Sequence, residues 1–393
     1  MEPGVDGARY RFDFRSYRRW FRQPLRTSNG VWSERQGIVI RLQDGSGNVG
    51  YGEIAPLPEF GTETQAGAIA FCQALPQFLD WPQIERLNLP GTATQFAWAS
   101  ALMQLGPGLE HQPNGGRCLP ILPICTLLPT GAPMLRAGRS PGKNKPGRTD
   151  TYKWKIGVTD PHQEQEILRR FCAQLDEQSC DQPDDHSGGC RNAQALLPAT
   201  VRLRLDANGG LTLAQAEQWL ALCDDLGIEF LEQPLPPKEF GAMLALSNRY
   251  TTPIALDESV ANLNQLRACY EQGWRGIFVI KGAIAGSPSD LLDFCLNQNL
   301  DVVFSSVFET GIGRRAVLDL ARAYDQARPD HATRALGFGV EHWLEADGLD
   351  ADDPAQIWAQ LAPNHPKAQT NAQSDAQSDA QKPRLSDSGE VTG

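Results

Sequence analysis

The sequence predicts an α/β barrel of the TIM type, preceded by a small α+β unit. Three observations carry that expectation. From about residue 119 onward, short apolar runs recur, each followed by a helical pattern. A charged residue closes run after run at nearly constant spacing. Before that point strands come first and helices after, the grammar of a separate α+β domain.

Taken in order, residues 9–14 alternate, and 37–42 (G-I-V-I-R-L) and 49–54 (V-G-Y-G-E-I) read as strands. The D-G-S-G-N segment at 44–48 between them is a hairpin turn signal. Helical patterns follow over 62–79 and 92–105. The barrel runs are 120–127, 151–156, 201–205, 228–231, 253–256, 276–280 and 300–304, with a weaker eighth over 336–340. Helices are expected over 212–226, where Thr212 and Gln215 form a capping box, and over 262–272 and 287–296. Domain boundaries follow: an α+β unit over 1–115, completed by residues near 340–361, and a barrel over 116–340. Two stretches stand apart. Residues 176–198 are polar and acidic and read as a surface insertion, and 362–393, with the near-repeat A-Q-S-D-A-Q-S-D-A-Q, reads as a disordered tail.

Composition narrows the function classes. The 393 residues are 41% hydrophobic and 21% charged, enough to bury a sizeable core, and the formal charge is −11. An acidic chain is a poor binder of nucleic acid or anionic membrane. No apolar run reaches transmembrane length and no secretory h-region opens the chain. The nine cysteines are odd in number and include no C-x-x-C pair, so reduced thiols and a cytoplasmic location are expected.

The chemistry lies in what closes each run. Lys153 and Lys155 lie in T-Y-K-W-K-I, Asp206 closes R-L-R-L-D, Glu232 closes E-F-L-E, Asp257 closes I-A-L-D and Lys281 closes F-V-I-K. The steps from Asp206 to Glu232, Asp257 and Lys281 are 26, 25 and 24 residues. Each step is about one strand, one helix and two loops, so each polar residue holds the equivalent place in successive units. That place is the C-terminal rim, where such barrels put their active sites. Three converging carboxylates supply hard oxygen ligands that suit Mg²⁺, or Mn²⁺ as a substitute. Lys153 and Lys155, at i and i+2 on a strand, share a face. Two ammonium groups that close should depress each other's pKa, so that Lys155 or Lys153 can act as a base. A metal-bound carboxylate substrate would then lose the proton from its neighbouring carbon.

At these residues the chain resembles the enolase superfamily, in its muconate-lactonizing subgroup, where a Lys or His base works with Mg²⁺. Closer still, it is similar to the o-succinylbenzoate synthase family of menaquinone and phylloquinone biosynthesis. The resemblance runs over residues 8–360 and rests on K-W-K at 153–155, L-D-A-N at 205–208, L-E-Q-P at 231–234, L-D-E-S at 256–259 and I-K-G at 280–282. G-E-I-A-P-L-P-E-F at 52–60 and F-S-S-V-F-E-T-G-I-G at 304–313 point to the synthases in particular. The resemblance implies a capping α+β domain over a (β/α)₇β barrel. It also implies a Mg²⁺-dependent dehydration of a hydroxylated cyclohexadiene carboxylate to 2-succinylbenzoate. Asp206, Glu232 and Asp257 match the metal ligands, Lys155 the base, Lys153 its electrostatic partner, and Lys281 the opposite lysine, which steadies the intermediate by a cation–π contact. Asn208 and Glu258 stand beside the ligands to hold them. Ser305, Ser306 and Gly337 fall where relatives contact the succinyl group, and 19–31 and 53–60 match loops that close over the ligand.

Rivals on the same machinery are an N-acylamino acid racemase and a dipeptide epimerase. The G-F-G-V at 337–340 lacks the D-x-D that holds a dipeptide ammonium, which counts against the epimerase. A third reading is a non-catalytic barrel serving as a scaffold. The basic segment 135–155 reads as a solvated loop, and Trp154, between the lysines, as packed against helices. The pair Gly311 and Gly313 reads either as a tight turn or as backbone N–H groups offered to a carboxylate.

Overall fold

A computed structural model describes residues 9–27, 30–105, 122–137, 150–180, 197–198, 200–331 and 333–363. The expected tail, most of the insertion at 176–198 and the middle of the basic segment lie outside the described residues. The first five residues of that insertion continue a helix instead.

The N-terminal unit is a four-stranded antiparallel sheet in the order β3-β2-β1-β4 with helices on one side. Its strands are β1 (Arg9–Thr27), β2 (Gly30–Gln43), β3 (Val49–Ile54) and β4 (Phe78–Asp80). The helices are α1 (Gln65–Ala74), α2 (Trp81–Glu85) and α3 (Thr92–Met103). The 44–48 turn closes as its residues demand. Asp44 Oδ1 accepts from Ser46 N and Asn48 N, both at 2.9 Å, and Gly47 takes φ +90°.

Two expectations are corrected here. The helix read over 62–79 stops at Ala74, because Pro76 forces Leu75 into extended backbone (φ −80°, ψ 142°). Residues 78–80 then pair with Arg9–Arg11 as β4. The 19–31 segment is not a loop. Its described residues belong to β1 and β2, which run on as one long hairpin to the pair Thr27 and Gly30, with a register shift between Trp20 and Leu25.

The second unit is a parallel sheet of eight strands: β5 (Ile124–Leu127), β6 (Asp150–Lys155), β7 (Val201–Asp206), β8 (Phe230–Glu232), β9 (Ile254–Leu256), β10 (Ile277–Ile280), β11 (Asp301–Phe304) and β12 (Leu336–Gly339). One helix follows each of the first seven: α4 (Met134–Ala137), α5 (Pro161–Cys180), α6 (Leu213–Leu226), α7 (Phe240–Ser247), α8 (Leu263–Glu271), α9 (Pro288–Asn297) and α10 (Gly311–Gln326). A last helix, α11 (Pro354–Gln360), ends the described chain. β12 pairs with β5, and a bridge between Ser305 and Gly337 joins β12 to the end of β11, closing the cylinder. The fold is thus the expected (β/α)₇β barrel with an N-terminal α+β domain.

Strand alternation decides which side chains reach the cylinder's interior. On β7, Leu203 and Leu205 pack into the main core with Trp154, Trp219 and Leu220, so Arg204 and Asp206 occupy the other face. Inside, Phe230, Ala255, Ile277, Val279 and Val303 form a separate apolar cluster. Arg204 lies over the Phe230 ring and pairs with Glu229 at 2.7 Å. Arg334 joins Glu229 to Asp301, so charge links β7 and β8 to the closing strands.

The N-terminal unit sits on the barrel through buried polar contacts. Glu53, fully buried on β3, accepts from Tyr17 Oη at 2.6 Å and from Thr310 N and Gly313 N, both at 2.9 Å. Gly313 therefore offers its N–H to a carboxylate of the protein, and a Cβ there would stand 2.9 Å from Glu53 Oε2. Arg35 donates to Ala55 O, Pro56 O and Val307 O at 2.6, 2.8 and 2.8 Å. Arg19 binds Asp347 and Asp350. The segment after β11 is also gripped by rings: Phe308, at φ +60°, packs edge-on against Phe21 and Trp32. α11 meets the first sheet through Arg15, which donates to Trp358 O and Leu361 O.

Glu53 serves both motifs, 52–60 and 304–313, at once. Glu53→Gln puts an amide N–H₂ where buried donors converge, and is expected to lower unfolding free energy by about 2 kcal/mol. Urea denaturation checks this, and an unchanged midpoint contradicts it.

Candidate active site

Strand register brings the charged residues to one rim. Lys155 is paired with Asp206 across β6 and β7, and Asp206 with Glu232 across β7 and β8. Asp257 follows the end of β9 and Lys281 the end of β10. Lys153 Nζ lies 2.7 Å from Glu232 Oε1 and 3.0 Å from Asp206 Oδ2. Lys155 Nζ donates to Asp206 Oδ2 at 2.9 Å and to Asn208 Oδ1 at 2.6 Å. Lys281 pairs with Asp257, and its ammonium lies 4.3 Å from the centre of the Phe60 ring.

Asn208 and Glu258 complete the cluster. Asn208 takes φ +45°, a conformation Asn tolerates better than most residues. Its N–H donates to Asp206 Oδ1 at 2.9 Å, and its amide reaches Glu258 Oε1 at 3.1 Å. Gln233, unremarked within L-E-Q-P, sets the next loop. Its Oε1 accepts from Asp257 N at 2.9 Å and Ser259 N at 3.2 Å, while Nε2 donates to Leu235 O and Ser259 Oγ. The side chain is fully buried, so the peptide carrying Asp257 and Glu258 is held from within.

The electrostatics differ from the expectation that the two lysines depress each other. Burial alone would lower Lys153, yet Asp206, Glu232 and Asp257 overcome it and hold it well above the ordinary lysine value. Asp206 is the mirror case: burial would raise it, and Lys153 and Lys155 bring it below the usual carboxylate range. Burial and then Asp206 push Glu232 up to about 7. Burial and then Asp257 push Glu258 up to about 8.

Three buried carboxylates, Asp206, Glu232 and Asp257, and the half-buried Glu258 thus face three ammonium groups. Glu258 Oε2 is buried without a hydrogen-bond partner. Among the described residues, no group of three or more His, Cys, Asp or Glu side chains is arranged to hold an ion as it stands. Lys153 reaches both Asp206 and Glu232 and supplies positive charge between them. The donor set itself, all carboxylate oxygen, fits Mg²⁺.

The rim opens into a cleft of about 780 Å³. The three lysines, Asp206, Asn208, Asp257 and Glu258 line its charged end. Leu25, Trp32, Leu127, Phe308 and Val340 form an apolar wall. Ser305, Ser306 and Gly337 also line it, and a Cβ at Gly337 would stand 2.5 Å from Ser305 Oγ. The Ser306 hydroxyl donates to Glu309 Oε2 and accepts from Phe308 N, both at 2.9 Å. Burial pushes Glu309 up to about 7. Leu57, Glu59 and Phe60, in the 53–60 stretch expected to close over a ligand, reach the cleft, but Glu53 is spent on the contact between the two units. Trp154 packs outside the cylinder as expected. The described thiols, including Cys125 in the cleft wall, are free.

Comparison with known proteins identifies the lineage. Residues 148–353 match the family described as enolase C-terminal domain-like, and residues 20–105 match the MenC N-terminal domain. An o-succinylbenzoate synthase of Thermosynechococcus vestitus is 39% identical over 342 residues, 86% of this chain and 94% of that protein. One from Aliivibrio fischeri is 28% identical over 74% of this chain and 78% of its own. Among solved structures, the o-succinylbenzoate synthase of Thermosynechococcus elongatus BP-1, complexed with Mg in the active site, aligns with a TM-score of 0.68 at 38% identity. That alignment covers 86% of this chain and 95% of that one. The L-Ala-D/L-Glu epimerase of Bacillus subtilis aligns at a TM-score of 0.62 over 86% of this chain and 91% of its own, and at 19% identity shares the fold alone. With a family match over more than half its length and a synthase matched nearly end to end, the chain belongs to the o-succinylbenzoate synthase family of the enolase superfamily.

Proposed function

We propose that the protein catalyses the syn-dehydration of 2-succinyl-6-hydroxy-2,4-cyclohexadiene-1-carboxylate to 2-succinylbenzoate, a step of menaquinone or phylloquinone biosynthesis. The observation that carries the reading is the pairing of Lys153 and Lys155 with a buried acid cluster at one rim of the barrel. The names of the relatives, which make the same product, support it.

In this reading Asp206, Glu232 and Asp257 would hold Mg²⁺, which when bound supplies Lewis-acid stabilisation of the negative charge on the substrate's carboxylate. Lys155 takes the proton from the ring carbon beside that carboxylate. The electron pair released from the C–H bond forms a ring double bond as the C–O bond to the hydroxyl breaks. Lys155 returns the same proton to the departing oxygen, water leaves, and the ring becomes aromatic. Lys153 supplies positive charge beside Lys155. Lys281 faces them from β10, where its ammonium steadies negative charge spread over the ring. Asn208 and Glu258 hold the acids from the side. Ser305, Ser306 and Gly337 border the place of the succinyl group.

The cleft supports a substrate without an α-ammonium. Cβ atoms at Gly337 and Gly339 would meet Ser305 Oγ at 2.5 Å and Cys125 O at 2.3 Å, so these two positions leave no ready room for the side chains of a D-x-D.

Two outcomes are expected. With Mg²⁺ and the diene acid, the purified protein develops the aromatic product's absorbance, and Lys155→Ala lowers kcat by at least ~10³-fold. A flat wild-type trace, while N-succinyl amino acids exchange their α-proton in heavy water, contradicts the dehydration in favour of racemisation. Glu232→Gln raises the Mg²⁺ concentration for half-maximal activity by at least about tenfold, and an unchanged Mg²⁺ dependence removes Glu232 as a ligand.

A further inference from the structure

Lys281 has an aromatic neighbour that the acid cluster does not require. Phe60 ends a single 3₁₀ turn, Pro58–Phe60, closed by Gly61 at φ +81° with its N–H on Pro58 O. The turn belongs to the N-terminal unit, and Leu57 N is fixed by Thr62 Oγ1 at 2.8 Å. Phe60 lines the cleft and presents its ring to the Lys281 ammonium at 4.3 Å. An ammonium over a ring face is held by the ring's quadrupole, more strongly where water is excluded. The Lys281 side chain is only 12% exposed.

The other partner of that ammonium is Asp257, one of the acids assigned above to Mg²⁺. A carboxylate shared with a divalent cation attracts an ammonium less, whereas an aromatic face keeps its pull. Lys281 stands at the end of β10, on the barrel, and Phe60 reaches it from the capping unit. We propose that Phe60 is a positioning residue, through which the capping domain holds the Lys281 ammonium over the cleft while Asp257 is engaged elsewhere. The inference rests on the reaction proposed above for its kinetic consequence, but the contact itself is measurable without substrate.

The test compares wild type with Phe60→Leu, Phe60→Tyr and pentafluorophenylalanine at position 60. The last keeps the ring, at slightly larger volume, but reverses the sign of the quadrupole. In protein labelled with ¹³Cε-lysine, with the Lys281 signal assigned through its loss in Lys281→Arg, the wild-type resonance should be shifted upfield by the ring. That shift should survive addition of Mg²⁺, persist in Phe60→Tyr and vanish in Phe60→Leu. In the dehydration assay, Phe60→Leu and the fluorinated ring should each lower kcat roughly tenfold with KM within about twofold, and Phe60→Tyr should restore it. An upfield Lys281 signal unchanged in Phe60→Leu overturns the proposal. So does loss of that signal with full kcat, or a lower KM at unchanged kcat, which would make the ring a mere occupant of the substrate's place. If wild type fails to turn over the diene acid, the reaction assignment falls, and the lysine resonance still decides whether the ring holds Lys281.

Discussion

Burying Asp206, Glu232 and Asp257 at one rim of a barrel, beside the half-buried Glu258, is the constraint on which the rest of the site depends. Each buried charge loses several kcal/mol of hydration, which only nearby opposite charge and hydrogen bonds offset. Three lysines provide part of that compensation, and they do so incompletely: Glu232 and Glu258 are pushed up to about 7 and 8, and Glu258 Oε2 finds no partner. A divalent cation at this rim would favour the ionised form of both. The same acids hold Lys153 well above the ordinary lysine value instead of its being depressed by its neighbour Lys155. A lysine's environment is set by every charge that faces it, and here acids from three strands face Lys153.

Support for this cluster comes from backbone held in unusual conformations by buried side chains. Asn208 and Gln233 both take positive φ; the Asn208 N–H donates to the Asp206 carboxylate, and the Gln233 side chain accepts from Asp257 N. The capping unit is fastened to the segment after β11 by Glu53 and Arg35, neither of which faces the cleft. That segment carries Ser305 and Ser306, so the wall of the cleft and the seat of the cap are one stretch of chain. Fixing the cap fixes that wall of the cleft.

The barrel was legible because its period is physical. One strand, one helix and two loops consume a nearly constant length, so residues 206, 232, 257 and 281 advertise equivalent positions without any structure. Alternation then put Lys153 and Lys155 on one face and Trp154 on the other. The capping unit was harder to read. The hairpin of β1 and β2 runs through 19–27, where charged and apolar residues do not alternate cleanly and so give no strand signal against the loop that the resemblance implies. Pro76 was the signal that should have ended α1 at Ala74. Glu53, Arg35 and Gln233 were invisible for a different reason. Their partners lie 257, 272 and 24 residues away in the chain, and no local pattern reports a contact of that kind. The glycine of 311–313 illustrates the same limit: an N–H offered to a carboxylate was foreseen as one option, but the carboxylate is the protein's own.

In the reaction proposed above, the acids at this rim are the seat of a divalent ion. Anomalous scattering from a crystal grown with Mn²⁺ is the test: one strong peak touched by Asp206, Glu232 and Asp257 is expected, with the Lys153 ammonium withdrawn from between Asp206 and Glu232. A peak elsewhere, or none, with Lys153 still bridging the two acids, would contradict it.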